Sequence, residues 1–293
     1  TVDLHKPLHK APTDARAVEL YLRGRFALRQ EWMSGGTTAV DLLGSGLALA
    51  PHDPHLLAAF ATASARQVFF GHVGADVMLQ ARLAAEAAAM AAPELGEAWA
   101  ALAQIAMYSG NMPEAARHFA KALQCTPGLA WAQGQLGTIL SEADALDRAE
   151  VHLQAAAQLD PFNANVHWDL VRLEVLRGEF ARADALLAKP ATDLTSEISR
   201  RFAQVRFGAW RRLPVTVDLP PADLLDNRLY RTVVLLSGMY AHAARGHGLS
   251  AEDLALLAES VEAANSRLRA ARCQFAAEIC ALAGDHARAL GYV

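Results

Sequence analysis

Apolar residues return at helical rather than alternating intervals along most of the chain, so the sequence predicts a succession of helices. Asp14 is placed to cap a first helix through AVELYLRGRFALRQEW, whose Val18, Tyr21, Leu22, Phe26 and Leu28 fall close to helical spacing. Ser34-Gly35-Gly36 breaks it, and a second helix runs from Thr37 to about Ala50, before Pro51. HLLAAFATASARQVFF ends at Gly71, and a further helix from about Ala75 reaches Pro93. Beyond Pro190 the pattern weakens to a helix over 194–212, the proline-marked segment Leu213 to Pro221, and a long helix from Ala222 to about Ala244. Ser250 with Asp253 then forms a capping-box pattern at the start of another helix.

The centre of the chain is periodic. In residues 96–127 the large and small positions are Trp99, Leu102, Ala103, Gly110, Ala115, Phe119, Ala122 and Pro127. Thirty-four residues later stand Leu136, Gly137, Asp144, Ala149, Leu153, Ala156 and Pro161, and then Leu170, Gly178, Ala183 and Leu187. Ala81, Ala88 and Pro93 precede the set by the same interval. Alanine suits places where two helices cross closely, and glycine supplies the left-handed residue that ends a helix. Proline cannot continue a helix interior and so separates one unit from the next. Pro51 and Pro93 stand 42 apart, eight more than the period, which predicts an insertion in a helix or in the turn at 71–74.

This spacing resembles the tetratricopeptide repeat, with Ala103 in place of its glycine and Ala106 where a tyrosine is usual. The implied fold is an all-α, right-handed superhelical solenoid of antiparallel helix pairs. The expected organisation is a tail or linker at 1–12, a repeat array at 13–190, and divergent helical repeats at 191–293, the last one truncated. Within the array, 13–53 and 54–95 are degenerate, and 96–129, 130–163 and 164–189 are clear. The runs ELYLRGRFALRQ, LALAPHDP, LLAAFATASA and AAEAAAMAAPELGEAWAALA further resemble arrays attached to bacterial signalling effectors: winged-helix activators, adenylate cyclases and serine/threonine kinases. That resemblance spans Val18 to Lys189 and implies an interaction or sensing module. No kinase glycine loop or cyclase metal motif occurs in the sequence. A chain starting at Thr1 and stopping at Val293 inside an apparent helix is expected to be part of a longer protein.

Composition narrows the partners. Hydrophobic residues make up 53%, which argues against disorder, and a net charge of −4 gives no general attraction for nucleic acid or anionic lipid. No run of ~18 uncharged apolar residues predicts a membrane span. Three scattered cysteines, Cys125, Cys273 and Cys280, suit a reducing, cytoplasmic compartment.

In a tetratricopeptide array the first helix of each repeat lines the groove. Counting from the repeat starts gives Gln104, Met107 and Tyr108, then Trp131, Thr138 and Glu142, then Asn165, Trp168 and Arg172 as candidates for binding a peptide or protein partner. Trp131 and Trp168 serve equally well as packing between repeats. A carboxylate clamp for a peptide terminus is not expected, because Ala100, Gly134 and Trp168 hold the corresponding positions. SRRFAQVRFGAWRRLP alternates arginine with aromatics and reads best as an amphipathic helix rather than a nucleic-acid surface. His5 with His9, His242 with His247, and Cys273 with Cys280 each lack a third metal ligand. Gly44-Ser45-Gly46 follows no strand and suits a close helix crossing. The expectation is therefore a non-catalytic module with no cofactor, able to bind a protein partner or to self-associate. The alternative is an array controlling a fused effector; a hydrolase or transferase in the divergent region after Pro190 would require converging histidine and carboxylate groups there.

Overall fold

The structure, a computed structural model, describes residues 14–30, 37–70, 74, 76–190, 194–213, 215–216, 228–262 and 266–293. The tail at 1–12 with His5 and His9, the turn at 71–73, and 217–227 lie outside the described residues. The described helices are α1 (Ala15–Gln30), α2 (Thr37–Leu49), α3 (Pro54–Phe69), α4 (Asp76–Ala91), α5 (Gly96–Tyr108) and α6 (Met112–Cys125). They continue with α7 (Ala130–Glu142), α8 (Leu146–Leu159), α9 (Ala164–Leu176), α10 (Phe180–Leu187) and α11 (Leu194–Trp210). The last are α12 (Arg228–Ala244), α13 (Ala251–Val261), α14 (Ser266–Leu282) and α15 (His286–Gly291). Strands are absent among the described residues. The fold is all-α.

Local chemistry starts and stops these helices. Asp53 accepts from the Leu56 amide at 2.9 Å with Pro54 opening α3, and Asn111 accepts from the Glu114 amide ahead of α6. Ser250 and Asp253 form the predicted capping box. The ends of the first helices repeat one closure. The amide of Asn111 donates to Ala106, Ala145 to Leu140 and Glu179 to Glu174, each at 2.9 Å and each 34 residues after the last. The intervening residue is left-handed in every case: Gly110 (φ 84°), Asp144 (φ 58°) and Gly178 (φ 77°). Asp285 donating to Cys280, with Gly284 at φ 86°, repeats the closure between α14 and α15. The C-terminal pair thus re-enters the pattern.

The chain divides into two compact units, Thr1–Leu136 and Gly137–Val293, with the division inside α7. In the first, α1 packs on α2, α3 on α4, and α5 lies against α3, α4 and α6. The eight-residue insertion lengthens both helices of its pair: α3 and α4 have 16 residues each, against 13 and 14 for α5 and α6. Gly46 is a close crossing, since a Cβ there would lie 2.7 Å from Leu56 Cδ2, whereas Gly44 is not tight. In the second unit α9 packs on α8, α10 and α11, and α14 on α12, α13 and α15. The in-phase residues Ala115, Ala149 and Ala183, and Phe119, Leu153 and Leu187, are all buried. Each large one contributes about 1.5–3 kcal/mol of apolar burial. Gly137 is as tight as the pattern requires: a Cβ would meet Leu153 Cγ at 2.7 Å.

Candidate functional site

Two successive first helices, α7 and α9, carry the polar group that the repeat count singles out. Thr138 and Glu142 are four apart on α7, and Asp169 and Arg172 three apart on α9, so each pair shares a helix face. Thr138 Oγ1 donates to Asp169 Oδ2 at 2.6 Å, and Arg172 Nη1 lies 3.5 Å from Glu142 Oε1. From the first turn of α14, 125 residues away, Arg267 donates through both Nη atoms to the two Glu142 oxygens, at 2.7 and 2.5 Å. Burial pushes the Asp169 carboxyl up to about 6, with Glu142 adding to the rise and Thr138, Arg172 and Arg267 opposing it. Burial would lower the Arg267 guanidinium, but the hydrogen bonds and charge of Glu142 outweigh it and hold it raised.

The structure therefore brings together Thr138, Glu142 and Arg172 of the expected candidates. It adds Asp169 and Arg267, which repeat counting did not select. Asn165 is exposed at the start of α9, its amide capped by Asn163 at 3.1 Å. Trp131 sits edge-on to Phe119 at 5.4 Å, and Trp168 packs against the core of Val171, Ala183 and Phe207. Both indole N–H groups are buried with no hydrogen-bond partner among the described residues. Gln104, Met107 and Tyr108 are different: all three are buried, at 0, 5 and 4% exposure, and offer a partner no open side chain. Tyr108 stacks on Phe69 at 4.1 Å.

The arginine-rich helix α11 is amphipathic. Arg200 and Arg201 bind Glu197, whose carboxyl their hydrogen bonds hold down to about 2, and Arg211 binds Asp184 at 2.6 Å. Arg206 enters the interior, where it donates to Glu278 at 2.9 and 2.6 Å under the faces of Phe275 and Trp210. Trp210 Nε1 donates to the same carboxylate at 3.0 Å, and the Tyr240 hydroxyl donates to it as well. Burial first, and then Glu278, keep Tyr240 far above the usual phenol range.

A cavity of about 540 Å³ lies beside α11, lined by Phe202, Phe207, Arg201, Arg211 and Val215 among others. Its lining includes no histidine among the described residues, and its carboxylate, Asp184, is held by Arg211. The His242 and His247 rings are 4.8 Å apart, but no group of three metal-binding side chains forms among the described residues.

Comparison with known proteins bears on the repeats. The tetratricopeptide repeat family profile matches residues 96–129. No curated protein sequence matches the chain. Among solved structures, a MamA mutant is similar at 18% identity and TM-score 0.38, covering 63% of this chain and 95% of its own. Human IFIT1, as a dimer with m7Gppp-AAAA, is similar at 15% identity and TM-score 0.44, covering 94% of this chain and 70% of its own. A monomeric IFIT1 mutant with Gppp-AAAA gives 15% identity and TM-score 0.45 over the same shares. Neither likeness carries a functional argument.

Proposed function

We propose that this protein, whose residues 96–129 match the tetratricopeptide repeat, is a non-catalytic module that holds a peptide or protein partner against the first helices of its repeats, within the array of residues 13–190. The observation that carries the proposal is the juxtaposition on α7 and α9 of Thr138, Glu142 and Arg172, with the exposed Asn165 at the start of α9. The polar group fixes the register of the bound segment. No described helix is long and apolar enough to cross a membrane.

The resemblance of residues 18–189 to arrays on bacterial signalling effectors supports a second reading, in which partner binding here controls an effector carried on the same polypeptide.

Capture of a binding protein by the immobilised full chain, followed by peptide mapping, tests the first reading. Asn165→Arg, at an exposed position that leaves the fold intact, is expected to weaken capture about tenfold. Capture undiminished by both Asn165→Arg and Arg172→Ala removes α7 and α9 from the binding face.

A further inference from the structure

The charged group on α7 and α9 already has an occupant. Arg267 reaches Glu142 from a helix whose own core is elsewhere: Ala276, Ile279 and Cys280 anchor α14 among α12, α13 and α15. Its guanidinium engages both carboxylate oxygens in a parallel fork, with its side chain 21% and that of Glu142 24% exposed. Two parallel N–H···O bonds select a planar guanidinium over an ammonium. The repeat itself supplies two carboxylates, Glu142 and Asp169, and one cation, Arg172; with both acids ionised it carries an excess negative charge once Arg267 is withdrawn. Thr138 braces Asp169, so this geometry is held by α7 and α9 and not by the occupant.

We propose that Thr138, Glu142, Asp169 and Arg172 form an arginine-recognition site, that Arg267 is its intramolecular occupant, and that a partner segment presenting an arginine side chain competes with Arg267 for it. This rests on the protein-binding reading and gives that partner a chemistry. The partner contact would displace the first turn of α14, while the buried residues further along keep the helix in place.

The test is an NMR titration of the full chain with N-acetyl-arginine amide, and with the lysine analogue as comparison. Arg267→Ala is expected to bind the arginine amide about tenfold more tightly than the wild type does, since a competing group held at high local concentration is gone. The gain should vanish in Arg267→Ala with Glu142→Gln, and the lysine analogue should bind more weakly. Should Arg267→Ala lose helix content, Arg267→Lys provides the measurement, because it keeps the stem and charge but cannot fork; it is expected to fall between wild type and alanine. Equal affinity of wild type and Arg267→Ala, or a gain that survives Glu142→Gln, overturns the inference. Either result leaves partner capture through Asn165 to be decided by its own measurement.

Discussion

Glu278→Ala removes the acceptor on which the interior of the C-terminal helices converges. In the wild type this carboxylate takes two charged hydrogen bonds from Arg206 and one each from Trp210 and Tyr240. The Arg206 side chain is only 9% exposed, so its charge has no solvent to fall back on. Breaking a buried pair by deleting one partner costs about 3–5 kcal/mol, a large share of the stability of a domain. For a unit of this size the thermal midpoint should fall by roughly 6–20 °C. Differential scanning calorimetry of the full chain reads it directly. The double variant Arg206→Met/Glu278→Leu removes both charges and refills the space, so the part of the loss due to the stranded charge should be recovered, while Trp210 and Tyr240 still lack their acceptor. A double variant whose loss equals the sum of Glu278→Leu and Arg206→Met would refute the reasoning, because the pair would then not act as a unit.

Asp169→Asn should alter the pH dependence of stability. A carboxyl raised to about 6 binds its proton more tightly in the folded chain, so it favours the fold below about pH 4 and loses that contribution as pH rises through 6. Asparagine still accepts from Thr138, so the variant should be up to about 3 kcal/mol more stable than wild type near pH 7.5, with the gap closing near pH 4.5, read by urea midpoints. Gly137→Ala should destabilise by about 1–3 kcal/mol, because the added methyl meets Leu153 with its backbone nitrogen 3.2 Å away; a neutral result would place the crossing wrongly. Asp144→Gly should stabilise by up to about 1 kcal/mol by relieving a left-handed aspartate, and Gly178→Ala at the equivalent turn should destabilise by about 1–2 kcal/mol although nothing crowds its side chain.

The helix pairs were legible because each depends on residues close in sequence. Alanines and large residues at a fixed interval mark crossings such as Gly137 on Leu153, and the closure at Gly110 and Gly178 needs only the glycine. Asp144 held its place in the interval, but its left-handed backbone showed only in the structure. The α7–α9 group was half legible. Thr138 and Arg172 are 34 apart and so fall out of the repeat count, whereas Asp169 lies one turn earlier and carries no signal until Thr138 is seen beside it. Arg267 and Glu278 find their partners across 125 and 72 residues, a separation that no periodicity encodes. Counting also placed Gln104, Met107 and Tyr108 on a groove, but α5 is packed by α3, α4 and α6, and its buried residues extend round the helix.

Hydrogen–deuterium exchange on the full chain, free and saturated with a captured partner, tests the binding face itself. The account predicts added protection concentrated in residues 130–142 and 164–176, with the first turn of α14 becoming more exchangeable as Arg267 is displaced. Protection confined to other helices, with these two unchanged, would contradict it.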